Sequence, residues 1–415
     1  MLHRRTLVNP KNGVFSRNSI SSNNKGTAKP FNYASSTRFF DLIFHPQQGS
    51  YRRGVRSLIF EHGEMEVLRL CGWCKDLPVS GLQTVPRKVV ELLAELGLIR
   101  MSKSGWSWRL TKKGDELLLR AGYEFEKDKQ QVGRGAQLMR RIHVAEITAF
   151  FWRMGLDVFL ETPPAKMQTD GFFPAFTLRR KKASEVLGYS QVCGFCYMGQ
   201  TVFVPYYVEA ENDGIYADTE QRMFRSEGLS CGRTPFVMYT ALGDTKTVTE
   251  CVMKDKRKNG MCTTDSFRAA AEKFSNDVAI VPLTLNGIRQ LRILAVPQYR
   301  ELLVHAILAD NFTLSPIPQS DGRDSVTGNE LIIGIDGNIP RFERVIRQSS
   351  SETHIYLLPD QATAVKTFLA GKNAVLHIVN EEEVERVLGL SWTEPAVSTD
   401  PFQTEKGEYL HASIV

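Results

Sequence analysis

The alternation of apolar and polar positions divides the chain into a helical front and a longer mixed region. Apolar residues recur at helical spacing within 53–122, and a further helix is predicted at about 134–154. Beyond it, apolar runs of strand length alternate with helical stretches. The predicted fold class is therefore α/β overall, with a small α+β unit at the front.

The mixed region contains several apolar runs of strand length. Strands are predicted at 157–161, 172–179, 201–209, 236–242, 278–285 and 292–299. A turn-rich segment, 316–330, is a candidate linker, and the order strand, strand, helix, strand, helix follows it. The predicted organisation is an arm (1–52), a front domain (53–125), a central domain (134–315), a C-terminal α/β segment (330–392) and a loose tail (393–415).

The front has a more specific pattern. Its order is helix, short helix, helix, hairpin, helix, with Ser80 as a helix cap, Pro86 at the first turn of the third helix and Gly97 at its end. This is the order of a winged helix-turn-helix, in which the third helix fits the major groove of DNA.

Basic residues mark where such a front would meet double-stranded DNA. The third helix, which would enter the major groove, starts with Arg87 and Lys88. The candidates for phosphate contacts lie at the hairpin and just beyond it: Lys103, Arg109, Lys112 and Lys113. Glu91 and Glu95 share the third helix. The alternative is a winged helix that docks a protein, with its basic residues merely solvated.

The net charge is unevenly distributed along the chain. Residues 1–150 carry 25 Lys/Arg against 13 Asp/Glu, whereas the remainder carries 27 against 33. A polyanionic partner is therefore expected to meet the front. The first 30 residues contain no acidic residue, which is typical of a disordered basic arm or of an organellar transit peptide.

The chain contains seven cysteines and no run of about 18 apolar residues. An odd number of cysteines without a secretory segment favours a reducing, cytoplasmic location and no membrane partner. Two CxxC pairs, Cys71/Cys74 and Cys193/Cys196, allow three interpretations: core packing, a zinc site shared between domains, or redox chemistry.

Carboxylates follow the predicted strands of the central domain. Helix, three strands and helix form the αβββα core of PD-(D/E)XK nucleases, in which an Asp before the second strand and an acid on the third hold a divalent metal. Asp170 and Glu209 are the candidate Mg²⁺ or Mn²⁺ ligands, and Glu146 on the preceding helix is a further carboxylate.

One position departs from the nuclease motif. The motif requires Lys two residues after the second acid, and this chain has Glu211 there. Lys181 or Lys182 is a possible substitute. An active enzyme would use Asp170, Glu209 and Glu211 as catalytic residues, whereas a degenerate domain would be a scaffold.

The chain resembles the replication-relaxation family in four short strings. They are LGLIR, WRLTKKGDELL, RRIHVAEITAFFWRMG and, further on, VEAEND. The resemblance covers about residues 60–225. It implies a winged helix joined to an often eroded restriction-endonuclease-like domain, in a protein of a plasmid or conjugative element. It also implies DNA contacts by Arg87, Lys88, Lys103, Arg109 and Lys112, and an ancestral metal corner at Asp170, Glu209 and Glu211.

Three hypotheses follow, in this order. The first is a non-catalytic DNA-binding protein that acts in replication, mobilisation or transcription control and needs no cofactor. Its expected partners are replication or relaxase proteins and a second copy of the chain. The second is a metal-dependent nuclease. The third is a protein-docking module.

Overall fold

Helices and strands alternate along most of the chain in the computed structural model, which describes residues 62–83, 85–123, 125, 135–160, 170–180, 190–209, 215, 233–254, 266–274 and 278–390. These residues belong to one compact unit and form 12 helices and three β-sheets. The predicted α/β class is confirmed. The predicted arm and tail lie outside the described residues.

The front segment (residues 62–123) is helical with one small sheet. Its elements are α1 (His62–Cys74), β1 (Leu77–Pro78), α2 (Arg87–Glu95), β2 (Ile99–Met101), β3 (Ser107–Leu110) and α3 (Lys112–Arg120). The antiparallel sheet has the order β1-β3-β2. The predicted short second helix is a single 3-10 turn, Val79–Leu82.

Two local signals explain how α2 ends and α3 begins. Gly97 follows α2 with a φ of +67°, the left-handed conformation that glycine adopts without strain. The side chain of Thr111 caps α3 by accepting a hydrogen bond from the Gly114 nitrogen at 3.2 Å. The predicted end of α2 at Gly97 is confirmed, whereas the Thr111 cap was not predicted.

The front segment packs directly on the next helix, α4 (Ala136–Arg153), and on the loop after it. Trp73 of α1 contacts the rings of Phe125, Phe159 and Phe176 at centroid distances of 5.5 to 5.9 Å. Aromatic pairs of this kind stabilise the fold beyond the effect of burying their apolar surface. One hydrophobic core therefore runs from α1 into the central region.

A five-stranded mixed sheet forms the centre of the protein. Its strands, in spatial order, are β4 (Gly171–Pro174), β5 (Gly194–Met198), β6 (Thr201–Tyr207), β7 (Thr234–Ala241) and β8 (Val278–Pro282). Strand β5 is antiparallel to both its neighbours, and the β6–β7 and β7–β8 pairs are parallel. The helices in this region are α5 (Ala175–Arg180), α6 (Thr245–Met253), α7 (Phe267–Phe274) and α8 (Leu285–Leu294).

Four predictions for this sheet were wrong. The run 172–179 is a strand only to Pro174, which lacks the N–H needed to continue the ladder, and then becomes α5. The run 292–299 is not a strand but the end of α8 and a turn. Asp157 makes only an isolated bridge to Gly171, so 157–161 is not a strand of the sheet. Strand β5 was missed because its five residues include a glycine and no β-branched side chain, which gives a weak strand signal.

A second five-stranded sheet follows. Its order is β13 (Ala374–Ile378), β12 (Thr353–Leu357), β11 (Glu330–Ile333), β10 (Gly322–Asp324) and β9 (Phe312–Thr313), with the first three strands parallel. The helices are α9 (Tyr299–Leu308), α10 (Ile339–Gln348), α11 (Ala362–Phe368) and α12 (Glu381–Leu388).

The predicted boundary at 316–330 is wrong. Strand β9, before it, pairs with β10, which lies inside the supposed linker. A Cβ at Gly322 would lie 2.8 Å from the Phe312 ring and 2.9 Å from Val304, so β10 packs too closely for any larger residue. The turn-rich composition therefore marks tight turns within a sheet rather than a linker.

Buried polar side chains join the two large sheets. The amides of Gln290 and Gln361 both donate to the Ile335 carbonyl at 2.7 Å, and Gln290 also donates to the Ile280 carbonyl of β8 at 2.9 Å. Both glutamines are buried, so these bonds are costly to leave unmade. In the part of the chain that is described, no helix combines the length and hydropathy needed to cross a bilayer.

Candidate nucleic-acid interface

The start of α2 presents basic side chains to solvent. Arg87 and Lys88 are exposed in its first turn. The Arg87 Nε lies 2.6 Å from the Glu91 Oε1, in an exposed pair one helical turn apart. Lys88 has no ion-pair partner among the described residues. Because Glu91 and Glu95 are exposed on the same helix, α2 as a whole carries little net charge.

The hairpin of β2 and β3 is a second basic element. Lys103 lies in its exposed turn, and Arg100 of β2 is also exposed. Neither has an ion-pair partner within the described ranges. Arg100 was not predicted, although an exposed position on a short edge strand next to Lys103 is a signal that the sequence contains.

Arg109 does not belong to this surface, which corrects the prediction. Its Nε donates to the Asp76 Oδ1 at 2.5 Å, and Asp76 is only 1% exposed. Ser107 donates to the same oxygen at 3.2 Å, and the Arg141 Nη1 of α4 lies 3.6 Å from the other one. Arg109 therefore neutralises a buried charge between the hairpin and α4.

The two lysines of α3 differ in role. The Lys113 Nζ donates to the Leu96 carbonyl at 2.7 Å, and so provides a hydrogen-bond partner for a carbonyl at the C-terminal end of α2. The prediction of a phosphate contact for Lys113 is thereby corrected to a capping role. Lys112 is 93% exposed and lies 4.0 Å from Glu116, so its ammonium is available to solvent.

The register of the central sheet separates the two predicted metal ligands. Gly171 is opposite Tyr197, and Tyr197 is opposite Val202, so Asp170 lies near the start of β6. Glu209 follows the end of β6, some 20 Å away at about 3.3 Å per strand residue. Asp170 instead accepts a hydrogen bond from the Gly199 nitrogen at 3.0 Å and lies 3.4 Å from the Arg233 guanidinium.

The prediction of a site containing Asp170 and Glu209 is therefore wrong. Asp170 precedes the first strand of the central sheet rather than the second, because 157–161 was counted as a strand and is not one. The described residues just before the second strand, 190–193, contain no carboxylate. Glu211, Lys181 and Lys182 lie outside the described residues.

A polar cluster does surround the end of β6, and we call it the α4 corner (His143, Glu146, Tyr207 and Glu209). The His143 Nε2 lies 2.6 Å from the Glu209 Oε1, and the His143 ring stacks on Tyr207 at 3.9 Å. Glu146 is 7% exposed and accepts a hydrogen bond from the Ser80 hydroxyl at 3.0 Å. Tyr207 is hydrogen-bonded to Glu146. Two of these groups, His143 and Tyr207, were not predicted.

The two carboxyl groups of the α4 corner have opposite pKa directions. Burial raises the pKa of Glu146 above its ordinary value, against smaller lowering effects of Tyr207, His143 and Ser80. The hydrogen bond from His143 lowers the pKa of Glu209 despite partial burial. Burial first, and the Glu146 charge second, raise the pKa of the Tyr207 hydroxyl.

The donor set of the α4 corner does not fit a divalent cation. Burial raises the pKa of Glu146 and so disfavours the charged form that a cation would need, and Glu209 is already paired with His143. Among the described residues, no group of three or more His, Cys, Asp or Glu side chains is arranged to hold a metal. A divalent ion prefers several oxygen ligands at one place.

The four cysteines of the CxxC pairs do not assemble into a zinc site. All four are buried free thiols, and within the described ranges they do not form a group that could hold a metal ion. Burial raises the pKa of the Cys71 thiol to about 12, and the pKa of Cys196 is also raised well above its ordinary value. A protonated thiol is a poor nucleophile, so these values disfavour redox chemistry at Cys71 and Cys196, and all four cysteines belong to the hydrophobic core.

Comparison with known proteins gave no match to a family model, to a curated protein or to a solved structure. The resemblance to the replication-relaxation family is therefore a hypothesis that rests on the short sequence strings alone.

The role of Arg109 gives a first prediction. Arg109→Ala is expected to lower the free energy of unfolding by about 2 kcal/mol, because it leaves the buried Asp76 with fewer partners. Lys103→Ala, on the exposed turn of the same hairpin, is expected to change it by less than about 0.5 kcal/mol. Urea unfolding of both variants measures the difference. Equal effects of the two substitutions would contradict the structural role of Arg109.

The α4 corner gives a second prediction. Because the folded pKa of Glu146 is raised, its stabilising contribution is present below its ordinary value of 4.5 and is lost as the pH rises through the folded pKa. Glu146→Gln is expected to match the wild type near pH 4.5 and to melt about 1 to 3 °C higher at pH 8. Thermal denaturation followed by circular dichroism over this range tests it.

Glu209→Gln serves as the matched control, because its effect on stability at pH 8 is expected to have the opposite sign. The lowered pKa of Glu209 stabilises the fold above pH 4.5, and this contribution is lost as the pH falls through the folded value. The Gln variant is therefore expected to be less stable than the wild type at pH 8. A pH-independent loss of stability in Glu146→Gln would show that burial of the charge is not the governing effect.

Proposed function

We propose that the protein is a non-catalytic, double-stranded DNA-binding protein whose front segment acts as a winged helix. In this proposal α2 approaches the major groove, and the β2–β3 hairpin is the wing that contacts the neighbouring backbone. The supporting observation is that Lys88 on α2 and Arg100 and Lys103 on the hairpin are all exposed, and none of them forms an ion pair among the described residues.

The remaining basic residues support the same surface more weakly. Arg87 and Lys112 form pairs with Glu91 and Glu116 that are exposed and one helical turn apart. Pairs of this kind contribute only about 0.3 to 0.5 kcal/mol, so phosphates compete for these cations at little cost. Arg109 and Lys113 are left out of the interface because the fold itself uses them.

We also propose that the central sheet is a nuclease-like scaffold without activity. Helix α4 and the antiparallel strands β4, β5 and β6 follow the first part of the αβββα order, with α5 inserted between β4 and β5. At the end of β6, the place of the metal corner is taken by a histidine–glutamate pair and a buried glutamate. Both observations favour the scaffold hypothesis over the enzyme.

The biological setting of the proposal rests on the family resemblance. It suggests a plasmid or conjugative element and a role in replication, mobilisation or transcription control, with replication or relaxase proteins as partners. The buried free thiols are compatible with the cytoplasmic location expected from the cysteine content.

The test is fluorescence anisotropy of a labelled duplex titrated with the full chain, in EDTA, over a salt series. The wild type is expected to bind with an affinity that falls steeply with salt, because phosphate contacts release counterions. Arg87→Ala/Lys88→Ala/Lys103→Ala is expected to reduce the slope of log K against log salt by roughly 2 to 3.

A matched variant controls for net charge. Lys246→Ala/Lys366→Ala/Arg386→Ala also removes three exposed cations, but from α6, α11 and α12. It is expected to bind like the wild type. Equal losses in both triple variants would indicate non-specific attraction, and no binding at low salt would favour the protein-docking hypothesis. Cleavage of the duplex on addition of Mg²⁺ or Mn²⁺ would favour the nuclease.

A further inference from the structure

The turn of the β2–β3 hairpin is fixed by hydrogen bonds within itself. The Ser102 nitrogen donates to the Ser107 carbonyl at 2.8 Å, and the Gly105 nitrogen donates to the Ser102 carbonyl at 3.0 Å. The Ser107 nitrogen also donates to the Ser102 hydroxyl at 3.2 Å. Gly105 has a φ of +76°, which residues with side chains rarely adopt. The position of the next residue, Trp106, is therefore well defined.

Trp106 carries a large apolar side chain that the fold leaves in solvent. It is 49% exposed, whereas Trp73 in the front core is 2% exposed. The Val79 nitrogen donates to the Trp106 carbonyl at 3.1 Å, so Val79, which is 43% exposed, lies beside it. Met101, 40% exposed, is opposite Trp108 and so diagonal to Trp106. We call Val79, Met101 and Trp106 the wing patch.

A cation borders the wing patch. Lys103 occupies the turn just before Trp106 and is exposed, without an ion-pair partner in the described part of the chain. Arg100 is also exposed, but it precedes Met101 on β2, so its side chain points to the other face of the hairpin. The hairpin 99–107 contains no acidic residue. An aromatic surface with positive charge on its border suits a nucleotide, whose base stacks on the ring while its phosphate meets the cation. An apolar protein partner would gain little from this charge.

We propose that the wing patch stacks an unpaired base, so that the protein favours DNA in which a duplex meets a single strand. The inference rests on the proposed DNA-binding function and specifies the class of DNA. A paired base must be unstacked before it can reach an indole on the hairpin, and an already unpaired base avoids that cost. The stiff turn reduces the entropy lost when Trp106 is ordered against a base.

The test compares a blunt duplex with the same duplex carrying a short single-stranded overhang, by anisotropy in EDTA at one salt concentration. The wild type is expected to bind the overhang DNA roughly 5- to 100-fold more tightly, the range expected for stacking of one base. Trp106→Ala is expected to lose this preference and to keep the affinity for the blunt duplex. Trp106→Phe, which retains a ring, is expected to keep most of the preference.

Two further measurements strengthen the test. Leu314→Ala removes an apolar side chain that is 84% exposed in the loop after β9, and it is expected to behave like the wild type. Tryptophan quenching by acrylamide is expected to fall on binding of overhang DNA, because the stacked base shields Trp106. The circular dichroism melt of each variant establishes that it is folded.

The outcomes separate this inference from the proposed function. Binding of blunt duplex without any preference for the overhang would overturn the stacking proposal and leave the winged-helix proposal standing. Equal weakening of both DNAs in Trp106→Ala would place the indole in a duplex groove and would also overturn stacking. Failure of the wild type to bind either DNA would instead overturn the proposed function itself.

Discussion

The buried carboxylate of Asp76 is the constraint on which the geometry of the front depends. A charge removed from water must be compensated, and here its partners come from two separate segments, Ser107 and Arg109 of β3 and Arg141 of α4. The chain reaches this position through Lys75, whose φ of +63° turns it sharply out of α1. Because Asp76 ties the hairpin to α4, the wing and the central sheet are held as one body. Further along α4, His143 contacts Glu209 at the end of β6, and Glu146 contacts the front through Ser80.

This rigid attachment bears on how the front would meet DNA. On α2, two exposed cations are accompanied by two exposed carboxylates, so the helix attracts a polyanion only weakly. The hairpin has cations without carboxylates, and its orientation is set by Asp76. We infer that the β2–β3 hairpin provides most of the electrostatic attraction to DNA, while α2 contributes mainly a helix of suitable shape for the major groove. Binding would then depend more on the backbone and on duplex ends than on the sequence of bases.

The fold was predictable where the apolar pattern was clear, and less so where a strand lacks the residue types that favour strands. Helices α1, α2, α3 and α4 follow from apolar spacing, with Gly97 at the end of α2, and the parallel strands of the C-terminal sheet follow from their apolar runs. Strand β5 was not predicted, because its five residues include a glycine and no β-branched side chain. Counting 157–161 as a strand displaced the strand count by one and made Asp170 look like a metal ligand. The basic surface was predicted in part. The long-range partners of Arg109 and Lys113 are set by tertiary contacts, which no local pattern encodes.

Carboxylates at the end of a buried strand are commonly taken as a sign of chemistry, and the α4 corner gives another physical reason for them. Glu146 lies between Ser80 of the front and Tyr207 of β6, so it connects three segments that are distant in sequence. Glu209 holds His143, whose ring covers Tyr207. Removing the Glu146 carboxyl would take one hydrogen-bond partner from both Ser80 and Tyr207 at a largely buried place, which is costly. The polar groups of the α4 corner therefore hold α4 in a fixed orientation against both the front segment and the central sheet.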